Sequence, residues 1–264
     1  MLGQLLLLSG NDIPFPEAQV TIHQPTLKEI AFIGEEAFFI GSGFLDFSKK
    51  ILSDQDKVRL TNYNDFDIFM SIMNDKSNMS IKRTIECANL VLTLIFPLYE
   101  VGVRTNAIVL KQGEKEFFIN KQNFENFKEI IREMFNLSYG RSKEDQYNPA
   151  GELAKRIAEK FKQRHQHLLK LKNDVLEANG EKLSLNILGH YASILAVGSG
   201  KDLNTLMGYT VCQLYDEFQR FQLKVQWDAY VQAKMAGAKD LEEVDNWMID
   251  LRTQKKDKTK NKNN

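Results

Sequence analysis

The four histidines are the side chains best suited to acid–base chemistry or metal binding, and their positions favour neither role. His165 and His167 are two residues apart on a predicted helix, so they point about 200° apart and cannot hold one metal ion from the same face. We expect them on a solvated basic surface. His23 precedes a predicted helix, and His190 lies on an apolar helix beside Tyr191. Both are expected to be structural histidines.

Motifs of other chemistries are missing from the sequence. Cys87 and Cys212 lie far apart without zinc-site spacing, which is typical of two buried thiols in a reducing cytoplasm. The glycines of Gly34–Gly43 lack the Gly-Lys-Ser/Thr ending of a phosphate-binding loop. The acidic pairs Glu35–Glu36 and Glu242–Glu243 suit the starts of helices. The sequence therefore predicts no catalytic residue, no cofactor-binding residue and no metal ligand, and hence neither an enzyme nor a cofactor.

Charge and hydropathy point to protein partners. The chain has 35 basic and 35 acidic side chains, so no global field attracts nucleic acid or a membrane, and no net charge opposes self-association. The basic segment Lys155–Lys172 motivates a weaker hypothesis of RNA or DNA contact. Met1–Ser9 is a poor signal peptide, and Cys87–Leu98 falls short of the ~20 apolar residues of a membrane span. We expect a cytoplasmic protein with no membrane segment.

The first residues of the chain predict extended segments followed by helix. Gln4–Leu8 fits a short buried strand, and Gln19–His23 alternates in the extended style. Thr26–Glu29 is a capping box that opens a helix. Its apolar pattern, Ile30–Phe39, is expected to break at Gly41–Gly43 and to resume as far as Ile51.

Further helices and one hairpin complete the N-terminal half. Apolar spacing predicts helices over Asn62–Met73 and over Ile81–Ile95, the second ended by Pro97 and forming the central core helix. Val103–Leu110 and Glu116–Ile119 flank a glycine turn, which predicts a β-hairpin at about 103–119. A helix returns at Gln122.

The C-terminal half reads as helix throughout. A first helix is predicted to start at Asn148–Pro149, to carry an apolar stripe over Leu153–Val175 and to stop at Asn179–Gly180. Ser184 is predicted to cap a second helix that ends at Gly198, and the capping box Thr210–Gln213 to open a long third helix that stops at Gly237. Asp240–Glu243 is predicted to cap a last helix that carries Trp247. Lys255–Asn264 should be disordered.

These patterns predict a mainly α fold, α-helical with one small β-hairpin and a short N-terminal strand, whose C-terminal half is an all-α helical array. The predicted units are an N-terminal α+β domain (1–137), a linker (138–147), a C-terminal helical domain (148–251) and a disordered basic tail (252–264).

Aromatic residues on helices are the remaining candidates for function. Trp227 and Tyr230 lie beyond the Phe218–Val225 stripe, and Trp247 and Met248 lie on the last predicted helix. Such residues belong more often to a core than to an interface. A helical array with a detachable terminal helix nevertheless suits recognition of a helix in a groove.

Five segments, in order, resemble a family of phage proteins: Leu8–Pro16, Thr21–Glu36, Tyr147–Ala150, Thr210–Phe221 and Ala236–Asp240. The family is that of proteins encoded beside the tape-measure gene of contractile-tailed bacteriophages, which act as tail assembly chaperones or baseplate-hub assembly proteins. The similarity is spread over nearly the whole chain, and none of its segments is a chemical signature.

The resemblance implies a non-enzymatic role in the host cytoplasm, where the chain would coat the tape-measure protein or hub subunits until the tail tube polymerises. A bare amphipathic client would aggregate, so a binder must cover its apolar face. Members of this family often have a frameshifted long form, and the lysine-rich end Lys255–Lys262 would permit the A-rich slippery codons that such a form needs. Two alternatives stay open: a permanent structural part of the virion baseplate or tail, and a nucleic-acid-binding accessory protein.

Overall fold

The computed structural model describes residues 2–48, 61–75, 79–137, 186–238, 244 and 246–248. Within these ranges the elements are, in order, α1 (Gln4–Ser9), β1 (Ile13–Phe15), β2 (Val20–Ile22), α2 (Leu27–Ile33), α3 (Glu35–Leu45), α4 (Asp65–Asn74), α5 (Met79–Ile95), β3 (Glu100–Arg104), β4 (Ala107–Gln112), β5 (Lys115–Ile119), α6 (Phe124–Met134), α7 (Ile187–Ser199), α8 (Leu203–Met207) and α9 (Val211–Met235). None of the described helices has the length and apolar character needed to cross a membrane.

The fold mixes α and β structure, so the prediction of a mainly α fold with one hairpin is wrong. Of the described residues, 60% are helical and 14% are in strands, which form antiparallel sheets of two and three strands. Two local features of the sequence explain this error. The strands β1 and β2 are only three residues long and lie among prolines. The turn between β3 and β4 contains no glycine, so the sequence predicts these two strands as one extended segment.

The first sheet closes the N-terminal end of the core. Strand β1 pairs antiparallel with β2, from Ile13 opposite Ile22 to Phe15 opposite Val20, and these four side chains are buried. The extended character predicted for Gln19–His23 is confirmed by β2. The strand predicted at Gln4–Leu8 is instead helix α1, which buries Leu7 and leaves Leu5 exposed. A run of leucines fits both the period of an α-helix and the period of a β-strand, so the sequence does not distinguish helix from strand in this segment.

The second sheet has the order β3-β4-β5. Strands β4 and β5 are the two arms of the predicted hairpin, joined by a two-residue turn whose Gly113 has a φ of 62°. Val103, which the sequence placed at the start of the hairpin, belongs to β3. Strand β3 pairs with β4 through a second two-residue turn, Thr105–Asn106.

Helices α3 and α5 cross at Gly41, which makes this glycine a packing residue. A Cβ atom built at Gly41 would lie 2.3 Å from the carbonyl oxygen of Cys87 on α5. Helix α3 therefore runs through Gly41–Gly43, and the break predicted there is wrong. The break lies at Gly34, whose φ of 86° ends α2 and begins α3. The predicted helices α4 and α5 are confirmed, and α5 buries Val91, Leu92 and Ile95.

Helix α6 contributes phenylalanines and two buried ion pairs to the core. Phe124 and Phe127 are almost fully buried. Lys128 is 2% exposed, and its Nζ lies 3.1 Å from an Asp65 carboxylate oxygen and 2.8 Å from one of Glu125. Its ammonium also donates to the carbonyl oxygen of Phe47, at 3.2 Å. The buried carboxylate of Asp46 accepts from Arg132.

The C-terminal helices α7–α9 pack on the N-terminal part and share its hydrophobic core. The N-cap of α7 is Asn186, two residues after the predicted cap Ser184, and α8 was not predicted. The linker, the Asn148–Pro149 start, the Leu153–Val175 stripe, the cap at Asp240–Glu243 and the tail lie outside the described residues. The division into domains stays a prediction.

Candidate protein-binding surface

The start of α9 is fixed to the N-terminal part of the chain by backbone contacts. Thr210 caps the helix by accepting from the Gln213 amide, while the Gln213 side chain accepts from the Thr210 amide, as the capping box predicts. Thr210 also forms a β-bridge with Thr26, and the amide of Leu27 donates to the carbonyl oxygen of Tyr209 at 2.8 Å. The side-chain Nε2 of Gln213 donates to the carbonyl oxygen of Leu8. Two capping boxes are thereby joined side by side.

The first half of α9 packs against α7. The rings of Phe218 and Tyr191 stack with centroids 4.0 Å apart. Gly198 of α7 lies against the Phe221 ring, where a Cβ atom would come within 2.2 Å of a ring carbon. The carboxylate of Glu217 forms an ion pair with Lys201, with Oε1 2.7 Å from Nζ. Every buried side chain of α9 lies before Phe221.

The apolar face of α9 changes side after Phe221. The packed residues Leu214, Phe218 and Phe221 have the spacing i, i+4, i+7. The same spacing recurs nine residues later in a second triplet: Leu223, Trp227 and Tyr230. Since each residue turns an α-helix by about 100°, nine residues amount to about two and a half turns, which places the second triplet on the opposite side of the helix. We call this triplet the distal face.

The three residues of the distal face are half-buried, on the part of α9 in which no described side chain is fully buried. Trp227 and Tyr230 contact each other with ring centroids 5.9 Å apart, and the Lys234 ammonium lies 5.6 Å from the Tyr230 centroid. Val225 and Met235 in the same half are 51% and 84% exposed. An apolar triplet at i, i+4, i+7 is the pattern by which a helix docks into a groove or against another amphipathic helix.

His23 lies between two carboxylates rather than at a reactive centre. Its Nδ1 is 2.9 Å from an Asp12 carboxylate oxygen, and its Nε2 is 3.2 Å from one of Glu29. Glu29 is also the capping residue of α2, and its carboxylate accepts from the Thr26 amide. Because both ring nitrogens face acceptors, the doubly protonated imidazolium satisfies both contacts.

The two carboxylates change the protonation of His23. Partial burial by itself lowers the pKa of His23, but the hydrogen bonds and charges of Asp12 and Glu29 outweigh burial and raise that pKa above 6.5. Burial likewise works to raise the pKa of Glu29, but hydrogen bonds from Thr26 and His23 outweigh it and lower that pKa below 4.5. His23 is therefore held as a structural cation that fastens β2 to α2.

The remaining candidates are dispersed. His190 is exposed on α7, Cys87 is buried in α5, and Cys212 is half-buried at the start of α9. Trp247 and Met248 lie in a turn. His165, His167 and the basic segment Lys155–Lys172 lie outside the described residues. Over the described ranges, no group of three histidine, cysteine or acidic side chains could hold a metal ion.

Sequence reasoning missed the function of Glu35. Its carboxylate accepts from the amide of Leu188 at 2.7 Å and from the amide of Gly189 at 3.5 Å, so a residue of α3 caps the start of α7. The N-cap residue of α7, Asn186, makes no side-chain capping bond. An acidic pair at the start of α3 is a visible signal, but the helix that it caps cannot be read from the local sequence.

A family of proteins resembles the C-terminal part of the chain. Residues 181–251 match the family model described as YomV second domain, which represents a Bacillus phage-region protein. The match spans the described C-terminal helices, including all of α9, and about a quarter of the chain. It suggests a phage protein. Searches of curated proteins and of solved structures give no match.

Proposed function

We propose that the chain is a non-enzymatic phage tail morphogenesis protein that binds tape-measure or baseplate-hub subunits as an assembly chaperone. The observation that carries the proposal is the distal face of α9, an apolar triplet on a stretch of helix that buries none of its own side chains. The phage-region family match over 181–251 and the resemblance of the wider chain to tail assembly proteins support it.

The proposed mechanism is protection of an apolar stripe. A tape-measure protein before assembly is expected to be a long amphipathic helix. Leu223, Trp227 and Tyr230 would lie along its apolar stripe, with two large rings supplying most of the contact area. The adjacent ion pair of Lys224 and Asp228, 2.7 Å apart, borders the triplet with charge and would set the rim of the contact.

Two titratable groups of the described residues, His23 and Lys128, are occupied by contacts within the fold. Both ring nitrogens of His23 face carboxylates, and the ammonium of Lys128 is enclosed by Asp65, Glu125 and a carbonyl oxygen. A catalytic acid or base has to reach a reacting atom. These two groups instead stabilise the fold.

Co-expression with the tape-measure protein of the same phage tests the proposal. The wild-type chain should raise the soluble fraction of that protein and co-purify with it. The double variant Trp227→Ala/Tyr230→Ala should lose at least about tenfold in affinity, because large aromatic anchors dominate such interfaces.

The matched control is Val225→Ala, an exposed position on the opposite side of the same half-helix. It should bind like the wild type. The proposal is refuted if the wild-type chain binds neither the tape-measure protein nor a hub subunit. It is also refuted if the double variant and Val225→Ala lose equal amounts of affinity. Mass spectrometry of purified particles distinguishes the alternative, because a chaperone is missing from the virion and a permanent tail component is retained.

A further inference from the structure

The outer edge of β3 has unpaired backbone groups whose positions can be worked out from the turns. A two-residue turn closes on a hydrogen-bonded pair, so Arg104 and Ala107 exchange backbone hydrogen bonds. Alternation along the strand then directs the groups of Glu100, Gly102 and Arg104 toward β4. The amides and carbonyls of Val101 and Val103 point away from the sheet, and no strand of the described residues pairs with them.

A groove runs along this edge. It has a volume of about 670 Å³ and lies between Val101–Val103 and the α5 row of Lys82, Glu86, Asn89 and Thr93. Both valines are half-buried against the core, whereas Gly102 is exposed. An exposed edge strand is a template for pairing with a further strand, and proteins usually cover or disrupt it. Here neither proline nor a bulge protects β3.

We propose that β3 pairs antiparallel with β3 of a second copy of this chain, about a two-fold axis at Gly102, to form one six-stranded sheet. The sequence of the strand, Glu-Val-Gly-Val-Arg, is self-complementary about its central glycine. In this register Val101 faces Val103 of the second copy, and Glu100 faces Arg104 of the second copy.

The backbone parity fits this register and excludes its neighbours. Val101 and Val103 carry the outward groups, so each facing Val101/Val103 pair exchanges two hydrogen bonds, which gives four across the axis. Gly102 would face Gly102 in a non-hydrogen-bonded pair, as required by its own bonds to β4. A shift by one residue would place inward-directed groups opposite outward-directed ones.

The charges on the exposed face select the same partner. Glu100 already lies opposite Lys111 of β4 in its own chain. In the dimer it would stand between Lys111 and Arg104 of the second copy, so positive and negative charges alternate across the junction. In the single chain Arg104 binds Glu116 of β5 through Nη1 and Nη2, at 3.0 and 2.7 Å, so its side chain has to turn from β5 toward the outer edge of β3 to meet Glu100 of the second copy.

Disulfide trapping tests the register. In a non-hydrogen-bonded antiparallel pair the facing Cα atoms lie about 4.5 Å apart, within the range of a disulfide. A Cβ atom at Gly102 meets nothing within 4 Å, so Gly102→Cys fits the folded chain. Oxidation of Gly102→Cys should give a covalent dimer on a non-reducing gel.

The matched control is Glu100→Cys on the same exposed face of β3. Its two copies would be about 14 Å apart in the proposed register, too far for a disulfide. The unsubstituted chain controls for Cys87 and Cys212. A covalent dimer of Gly102→Cys at least about tenfold above both controls supports the proposal. Equal amounts in the two cysteine variants, or none, would overturn it.

A charge swap tests the partner independently. Glu100→Lys and Arg104→Glu each create two like-charge pairs across the axis, one at each end of the strand, and should weaken the homodimer about tenfold in sedimentation equilibrium. Mixing the two variants restores complementary pairs at both ends and should recover association. A mixture that stays as monomeric as its components would overturn the proposal, as would a wild-type chain that is monomeric at millimolar concentration.

Discussion

Helix α6 and the distal half of α9 have the same kind of sequence and different surroundings. Each carries aromatic and apolar side chains at helical spacing. In α6 these side chains are buried, with Phe127 fully so, whereas the half of α9 beyond Phe221 buries none. The difference shows that an amphipathic pattern predicts which face of a helix is apolar but does not predict which part of the protein, or which partner, packs against that face. Replacements in the two regions should therefore affect different measurements.

The largest effect is expected at Lys128 in α6. Lys128→Met should lower the free energy of unfolding by about 3 kcal/mol, because it leaves the Asp65 carboxylate without its buried cation. Lys121→Met is the matched control, since Lys121 pairs at 3.1 Å with Asp67 on the same helix α4 but is 60% exposed. It should cost less than about 0.5 kcal/mol. Urea unfolding of the two variants measures the difference, and equal losses would contradict the role of burial.

The next effect is expected where α3 crosses α5. Gly41→Ala should lower the free energy of unfolding by about 2 kcal/mol, because its Cβ atom would meet the backbone of Cys87. Gly43→Ala, two residues later on the same helix, has free space and should stabilise by about 0.5–1 kcal/mol through helix propensity. Thermal unfolding followed by circular dichroism would show the opposite signs. A stabilising Gly41→Ala would mean that the helices do not cross as described.

A smaller, pH-dependent effect is expected at His23. Its raised pKa gives a stabilisation that is complete below pH 6.5 and is lost as the pH rises through the raised value. The lowered pKa of Glu29 gives one that is present above pH 4.5 and is lost as the pH falls through the lowered value. Between pH 4.5 and pH 6.5 the stabilisation from His23 and the stabilisation from Glu29 are both present.

His23→Gln should therefore cost up to about 1 kcal/mol at pH 5.5 and less at pH 8.5, compared with wild type at each pH. His190→Gln, at an exposed position, is the control. Urea titrations at the two pH values measure the difference. A loss that is independent of pH would mean that the ionised pair does not stabilise the fold.

The smallest effect on stability is expected on the distal face of α9. Trp227→Ala and Tyr230→Ala should each change the free energy of unfolding by about 1 kcal/mol, although each removes a large ring, because both rings are only half-buried. Phe127→Ala in α6 should cost about 3–5 kcal/mol. Guanidinium unfolding of the three variants makes the comparison direct. A loss at Trp227 as large as that at Phe127 would show that the distal face belongs to the core.

The parts of the fold that depend on adjacent residues could be predicted. The capping boxes at Thr26 and Thr210 are confirmed. They could be predicted because the two partners of each box lie within four residues of sequence. The extended segment of β2 and the turn at Gly113 were likewise visible in the sequence.

The features that depend on distant residues could not be predicted. Gly41 looks like a helix breaker until Cys87, far along the chain, is placed beside it. Strand β3 was merged with β4 because a turn of Thr105 and Asn106 lacks glycine. For the candidate surface, Trp227 and Tyr230 were singled out as lying beyond the packed stripe. Which of the two faces of α9 is packed becomes known only when α7 is placed against its first half.

The cap that Glu35 provides for α7 bears on the timing of synthesis. It joins residues 153 positions apart, and ribosomes add about 5–20 residues per second, so its two halves are made about 8–30 s apart. During that interval α3 has already left the ribosome with a carboxylate prepared for a helix that has not been translated. Closure of this contact is of high contact order and should be among the slow steps of folding. Synonymous codons that change the speed of translation between these positions would therefore alter the yield of native protein without altering its sequence.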